Sequence, residues 1–198
     1  LFAIAQTFAD CGKPEYLPRA KDIFEKFVDS PDRDRRITAL LGLVKLLIAR
    51  KQYEEAAKRG EELLKQKQEE DQWVPQLYHD LKRAYVGIAI RAVRAGQGAK
   101  AVDALEKAEK YMRQLVVLVK GAADQKLRRR DIAGYRESMI IYYRYWHELL
   151  QIWYAQRRYN RVIRYGGMLL ERKPPFLPGD LVKRIEKIVE AAKARLKK

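Results

Sequence analysis

Arginine is the residue type best placed to do chemistry in this sequence, and its distribution is uneven. Arg157, Arg161 and Arg164 follow at intervals of four and three, which puts them on one helical side across the last inter-helix turn. A planar guanidinium offers parallel N–H donors to a carboxylate or phosphate, so such a ladder is a candidate oxyanion surface. Arg128-Arg129-Arg130, Arg172-Lys173 and the tail from Lys193 to Lys198 add to it. Residues 1–110 hold 21 basic and 18 acidic groups, whereas 111–198 hold 21 and 8, so +13 of the net charge of +16 lies in the second part. A field of that kind favours acidic partners and speeds their capture.

Aromatic residues crowd the same region. Tyr135, Tyr142, Tyr143, Tyr145, Trp146, Trp153, Tyr154, Tyr159 and Tyr165 interleave with Arg136, Arg144, Arg157 and Arg158, a mixture that can stack on nucleic-acid bases. Tyr142, Trp146, Leu149 and Trp153 nevertheless fall on one helical stripe, which assigns them to a core. Trp146 and Trp153 are therefore expected to be buried between helices, and Tyr143, Tyr145 and Tyr165 to be exposed.

Other chemistry is poorly served. Thr7, Cys11, Ser30, Thr38 and Ser138 are the non-tyrosine hydroxyl and thiol groups, and none has a histidine nearby in sequence. His79-Asp80 and His147-Glu148 are neighbours along a helix and point in different directions, a poor arrangement for an acid/base dyad. No Cys/His spacing suits zinc and no Asp-rich loop suits calcium. Gly96-Gln97-Gly98 reads as an inter-helix turn and not a phosphate loop. The expectation is a protein that is not an enzyme, with no catalytic residue, no metal and no cofactor. The single cysteine, Cys11, excludes an internal disulfide and points to no compartment. Apolar runs such as Ala84 to Ile90 fall far short of the roughly 18 residues a membrane-spanning helix needs, so no membrane span is expected. Leu1 to Asp10 lacks the basic start of a signal peptide, and Asp10 stands where small residues precede a lipidated cysteine. The chain is read as a processed product or a fragment that begins inside a helix.

The elements that must position these residues are helical. Ile37, Leu40, Leu41, Val44, Leu47 and Ile48 recur at helical offsets, and Tyr53, Ala56, Ala57, Gly60, Leu63 and Leu64 repeat them, so two amphipathic helices joined near Lys51-Gln52 form an antiparallel hairpin. Period-two alternation of useful length is absent and no sheet is predicted. The hairpin recurs. Taking Ala20, Ala56, Ala101 and Val162 as anchors, Phe24, Gly60, Leu105 and Gly166 stand four later, and Phe27, Leu63, Ala108 and Leu169 seven later. Ile4, Leu40, Tyr85 and Trp146 stand sixteen earlier, and Cys11, Leu47, Ala92 and Trp153 nine earlier. Pro31 to Arg35, Glu69 to Pro75 and Gly121 to Lys126 read as connectors. The long third interval predicts an extended helix over Ala99 to Val119 and a long one over roughly Leu127 to Arg157, kinked at Gly134. Asp180 is expected to cap a last helix with Leu181, Val182, Ile185, Ile188, Val189, Ala192 and Leu196 on one face.

This pattern resembles the tetratricopeptide repeat, with degenerate units. The best match runs from Trp146 to Pro174: Trp146, Leu149, Leu150, Trp153 and Tyr154, then Tyr159, Val162, Gly166, Leu169 and the closing Pro174 follow the family order. Arg50 to Ala56 and Ala95 to Val102 look like its inter-helix turns. Phe8, Val44, Ala89 and Leu150 stand where the family places a small Gly or Ala. The resemblance implies an all-α protein, a right-handed α-solenoid of about four tetratricopeptide-like hairpins plus a C-terminal capping helix. The whole chain, 1–198, is then a single repeat domain, with units near 1–31, 37–68, 77–120 and 127–174 and the capping helix at 180–197. It implies a groove lined by first helices, which places Thr38, Leu41, Lys45, Arg83, Val86, Arg94, Arg144, His147, Gln151 and Tyr154 there. Leu41, Val86 and His147 replace the lysine with which some members grip a C-terminal carboxylate, so a receptor for such tails is not expected. The candidate partner-binding residues are thus Lys45, Arg83, Arg94, Arg144, His147, Gln151, Tyr154, Arg157, Arg161 and Arg164. The expected function is a non-catalytic protein–protein interaction or scaffold module, a subunit of a larger complex that binds an acidic partner surface or peptide. The alternative is a nucleic-acid-binding helical repeat using the basic second half. Weak non-specific nucleic-acid binding is expected in either case.

Overall fold

The computed structural model describes residues 4, 5, 7, 15–68 and 71–197. Expectations that fall on Phe8, Cys11, Glu69, Glu70 and Lys198 lie outside the described residues. Among those described the secondary structure is helical, without a strand: α1 (Leu17–Glu25), α2 (Arg33–Ala49), α3 (Tyr53–Leu64), α4 (Val74–Arg94), α5 (Gly98–Arg128), α6 (Ile132–Ala155), α7 (Tyr159–Glu171) and α8 (Gly179–Leu196). The chain divides into two compact units, 1–108 and 109–198. No helix among the described residues is long and apolar enough to cross a membrane.

The helix ends show how local sequence sets these boundaries. Asp32 caps α2, its carboxylate accepting from the N–H groups of Asp34 (3.0 Å) and Arg35 (3.2 Å), so the connector expected to reach Arg35 stops at Asp32. At the other end Gln52 N–H donates to the Leu47 carbonyl (2.8 Å) and Lys51 N–H to Ile48 (2.9 Å), with Lys51 left-handed at φ 60°. That is a Schellman closure. It recurs on Ala92 with Gly96 and Gln97, and on Trp153 with Arg157 and Arg158. The three accepting residues are the positions nine before the anchors Ala56, Ala101 and Val162, so one turn geometry underlies the sequence repeat. Lys51 and Arg157 adopt it without being glycine, at a cost of about 1 kcal/mol each.

In unit 1, α2 is apolar on almost every side, with Ile37, Ala39, Leu43, Val44, Leu46, Leu47 and Ile48 buried, because α1, α3 and α4 all pack on it. Ala20, Phe24, Ala39, Leu43 and Leu46 form its centre. Gly42 and Gly87 are 45 residues apart, the same interval as Ala56 and Ala101. Each admits an aromatic ring from the preceding helix: the Phe24 ring fills the place of a Gly42 Cβ, and the Tyr53 ring comes within 2.6 Å of a Gly87 Cβ. A side chain at either would displace the ring. Sequence reading assigned these glycines no role.

Arg33 at the start of α2 holds Asp71 through two donors, at 2.9 and 2.7 Å. Asp71 also accepts from Gln68 N–H at 2.6 Å, so one carboxylate ties the stretch after α3 back to α2. The Arg33 hydrogen bonds hold its pKa down to about 2. A depressed carboxylate stabilises fully above its unfolded pKa, about 3.9, and loses that contribution as pH falls through the folded value. The unfolding midpoint of the wild-type chain should therefore decline between about pH 4 and pH 2. Asp71→Asn should flatten that decline in thermal melts; an unchanged slope means the pair adds nothing.

Unit 2 departs from expectation at three places. Gly121 to Lys126, expected as a connector, is helical within α5, where Ala122 and Ala123 sustain the helix. The helix ends at Arg128, closed by Arg130 at φ 60° and by Asp131 N–H donating to the Lys126 carbonyl at 2.9 Å. The long helix predicted from Leu127 therefore starts at Ile132, capped by Asp131 accepting from Gly134 N–H at 2.9 Å. Gly134 does not kink it: a Cβ there would collide with the Asp131 carboxylate, so the glycine serves the cap. The last helix begins at Gly179, with Pro178 and not Asp180 at the cap position; Asp180 pairs with Arg184 at 3.2 Å. Its buried face, Leu181, Ile185, Val189 and Ala192, lies on α6 and α7, and Val189 occupies the space beside Gly166.

Aromatic burial also differs from the stripe expectation. Trp153 is buried, whereas Trp146 is only half-buried. Tyr143, expected to be exposed, is buried, and its hydroxyl donates to the carbonyl oxygens of Leu169 (3.4 Å) and Arg172 (3.2 Å) at the end of α7. Tyr165 is packed against Trp146, nearly parallel with centroids 5.6 Å apart, and against Trp153 at 5.2 Å. About a quarter-turn of helix separates Tyr143 from the stripe, and the end of α7 accepts its hydroxyl there.

Candidate interaction site

The densest constellation of charged side chains in unit 2 centres on a carboxylate that sequence reading did not single out. Glu109, on α5, is 7% exposed. Its Oε1 accepts from Arg113 Nε at 2.9 Å and Nη2 at 2.8 Å, and its Oε2 from Arg158 Nη1 at 2.8 Å. Arg161 Nη1 stands 3.5 Å from Oε1. Burial by itself would raise the pKa of Glu109, but the Trp153 indole N–H and the guanidinium groups of Arg113 and Arg158 outweigh it and hold the carboxyl below the ordinary range. The indole N–H makes no hydrogen bond of normal geometry, so it acts as an oriented dipole. Arg113 and Arg161 also lie over the Trp153 ring, at 5.5 and 6.0 Å from its centroid, in cation–π geometry. One carboxylate thus faces three guanidinium groups, and the cluster keeps a net charge of +2.

The expected ladder is divided by this arrangement. Arg161 is engaged with Glu109 and Trp153. Arg157 is the left-handed residue of the turn, exposed, and Arg164 is exposed beside the Tyr165 ring at 5.7 Å. Neither of these two makes an ion pair among the described residues. Arg158, passed over by the spacing argument, makes the short bond, because the turn aims it at α5. The signal for Arg113 was present in sequence, since Glu109 and Arg113 are four apart on one helix. That for Arg158 was not.

Arg144, His147, Gln151 and Tyr154 lie along one side of α6, and α8 supplies neighbours that sequence reading did not include. Burial lowers the pKa of His147, the nearby Arg184 lowers it further and Glu148 opposes them, so the ring is neutral at pH 7. The Tyr154 hydroxyl raises the pKa of Arg195, and the Tyr154 ring meets Tyr159 edge-on at 5.3 Å. Arg144 and Gln151 are exposed. The remaining three residues belong to unit 1. Lys45 is half-buried on α2, Arg94 is exposed in the last turn of α4, and Arg83 reaches within 4.0 Å of the buried Asp80. His79 Nδ1 is likewise 4.0 Å from Asp80, beyond hydrogen-bond range.

Unit 1 also holds a cleft of about 370 Å³ bordered by α3, α4 and α5. Glu54, Glu61, Glu62 and Asp103 line it together with Lys58, Lys65, Lys100 and Lys107; Lys100 pairs with Glu54 at 3.4 Å, and Glu61 accepts from the Tyr85 hydroxyl at 2.6 Å. Its charges cancel among themselves, unlike those of unit 2. Among the described residues no group of three or more His, Cys, Asp or Glu side chains is placed to hold a metal ion. Compared with known proteins, the sequence matches no protein-family model and no curated protein.

Proposed function

We propose that the chain is a right-handed α-solenoid of about four tetratricopeptide-like hairpins with a capping helix, and that it is a non-catalytic interaction module of a larger assembly, holding a partner by acidic surface. The recurring closure nine residues before each of three anchors supports the repeat reading. The observation that carries the functional reading is the uncompensated arginine surface of unit 2. Arg144, Arg157 and Arg164 are exposed and outside any ion pair among the described residues, beside a cluster that retains two positive charges. A nucleic-acid-binding role ranks second. Charge supports it, but the rings it would need for stacking are committed to packing: Tyr143 is buried and Tyr165 lies against Trp146 and Trp153.

The test compares charge reversals of equal size. Arg144→Glu with Arg157→Glu and Arg164→Glu should weaken binding of an acidic peptide pool by at least about tenfold. Arg161 is left alone, because a glutamate there would confront Glu109. Lys58→Glu with Arg59→Glu and Lys65→Glu, in unit 1, should change it less than about threefold. Equal losses would mean that net charge alone matters and no localised surface exists. RNA and DNA run in the same salt series should bind with dissociation constants of about 10⁻⁴ to 10⁻⁶ M at physiological salt and without sequence preference. Submicromolar, sequence-selective binding would promote the second reading.

A further inference from the structure

Two guanidinium groups in unit 2 are held in place with their outer edges unused. Arg113 and Arg161 approach the same oxygen of Glu109 and lie over the same ring, Trp153. Their side chains are nonetheless 52% and 48% exposed. Arg113 spends Nε and Nη2 on Glu109, and Arg161 spends Nη1; among the described residues the other N–H groups meet no acceptor. Fixing two long side chains normally opposes binding, and here Trp153 and Glu109 have already done it. Arg158 answers the other oxygen of Glu109, so the carboxylate is saturated and cannot neutralise the pair. An incoming oxyanion gains two preset, charge-assisted donors.

The surroundings favour a peptide over a nucleic-acid backbone. Val117 stands four residues beyond Arg113 on α5, about 6 Å along the same side of the helix, and is 67% exposed. Leu118 is exposed as well but is turned about 140° from Arg113 round the helix, on the side of Gln114. A cationic point followed by an apolar one along a helix fits a segment in which acidic side chains precede apolar ones. A phosphate chain would leave Val117 without a counterpart.

We infer that Arg113 and Arg161, with Val117, form a docking site for an acidic-then-apolar peptide segment of the partner, its carboxylates seated on the two guanidinium groups. The inference rests on the acidic-partner reading above and gives it a location outside the first-helix groove. Trp153 beneath the site makes its indole emission a local reporter.

The experiment uses the full chain and three labelled probes: a short peptide with two adjacent glutamates followed by two leucines, the same peptide with serines for the leucines, and a single-stranded oligonucleotide of equal charge. The leucine peptide should bind saturably at physiological salt, at least about threefold more tightly than the serine peptide, and alter indole emission. Arg113→Gln with Arg161→Gln keeps the Glu109–Arg158 pair and should fold, as judged by an unchanged circular dichroism spectrum, while binding the leucine peptide about tenfold more weakly. Val117→Ser should erase the preference for leucine and leave the serine peptide's affinity unchanged. If the double variant binds like wild type while Arg144→Glu with Arg157→Glu and Arg164→Glu loses binding, this location is wrong and the acidic-partner reading stands. If neither peptide binds saturably, or the oligonucleotide binds more tightly through the same two arginines, both fail.

Discussion

Trp153→Ala should cost unit 2 about 3–5 kcal/mol, the largest effect expected of any single truncation in the chain. The ring is 1% exposed. It packs against Tyr165 at 5.2 Å and Trp146 at 6.0 Å and carries two guanidinium groups on its face. Its carbonyl also closes α6, but alanine keeps that bond, so the loss reports on the side chain. Trp146→Ala is the internal comparison. Its ring is partly exposed, although the indole nitrogen is buried, and its truncation should cost less, about 2–3 kcal/mol. Urea unfolding followed by circular dichroism gives both values. Equal losses would mean that the two indoles share one environment in solution, and a near-neutral Trp153→Ala would remove the aromatic centre from the account of unit 2.

The second large effect is expected at Glu109. Removing one partner of a buried ion pair costs about 3–5 kcal/mol when the remaining charge stays dry. Here the three arginine side chains are 33–52% exposed and regain water, which lowers the expectation for Glu109→Leu to about 2–3 kcal/mol. Glu109→Gln keeps one acceptor oxygen and turns an NH2 group toward the other arginine, since Arg113 and Arg158 use different oxygens of the carboxylate, and should lose about 1–2 kcal/mol. The sign with pH follows from the lowered carboxyl pKa: the contribution is complete above the unfolded value of about 4.3 and disappears as pH falls through the folded one. The gap between wild type and Glu109→Gln in urea unfolding should therefore be wide at pH 7 and narrow on acidification. A gap that stays constant, or widens in acid, would show that Glu109 acts by shape and not by charge. The same comparison bears on function, because a cluster that falls apart without Glu109 can no longer hold Arg113 and Arg161 ready for a second carboxylate.

Much of the backbone was determined by the sequence alone. The helical periodicity of Ile37 to Ile48 and of Tyr53 to Leu64, the turn at Lys51-Gln52 and the recurrence of that turn at Gly96 and Arg157 depend on contacts no more than five residues apart, which spacing and residue type specify. The anchors Ala20, Ala56, Ala101 and Val162 are all buried for the same reason: a small residue early in a helix faces its hairpin partner whatever lies beyond. The excess of basic over acidic residues past Tyr111 is equally a property of composition.

Tertiary structure decided what those charges and rings touch. Glu109 meets Arg158 across 49 residues, and no local rule distinguishes Arg158 from its neighbour Arg157. Their difference arises because the left-handed turn aims one at α5 and leaves the other in water. Trp146 and Trp153 lie seven apart on one stripe and both touch Tyr165 on α7, yet one is buried and the other partly exposed. Tyr143 is buried because the carbonyl end of α7 comes to it. Helix periodicity specifies a direction from the helix axis, whereas burial and ion pairing depend on which other helix occupies that direction, and that is set by the packing of elements far apart in the chain.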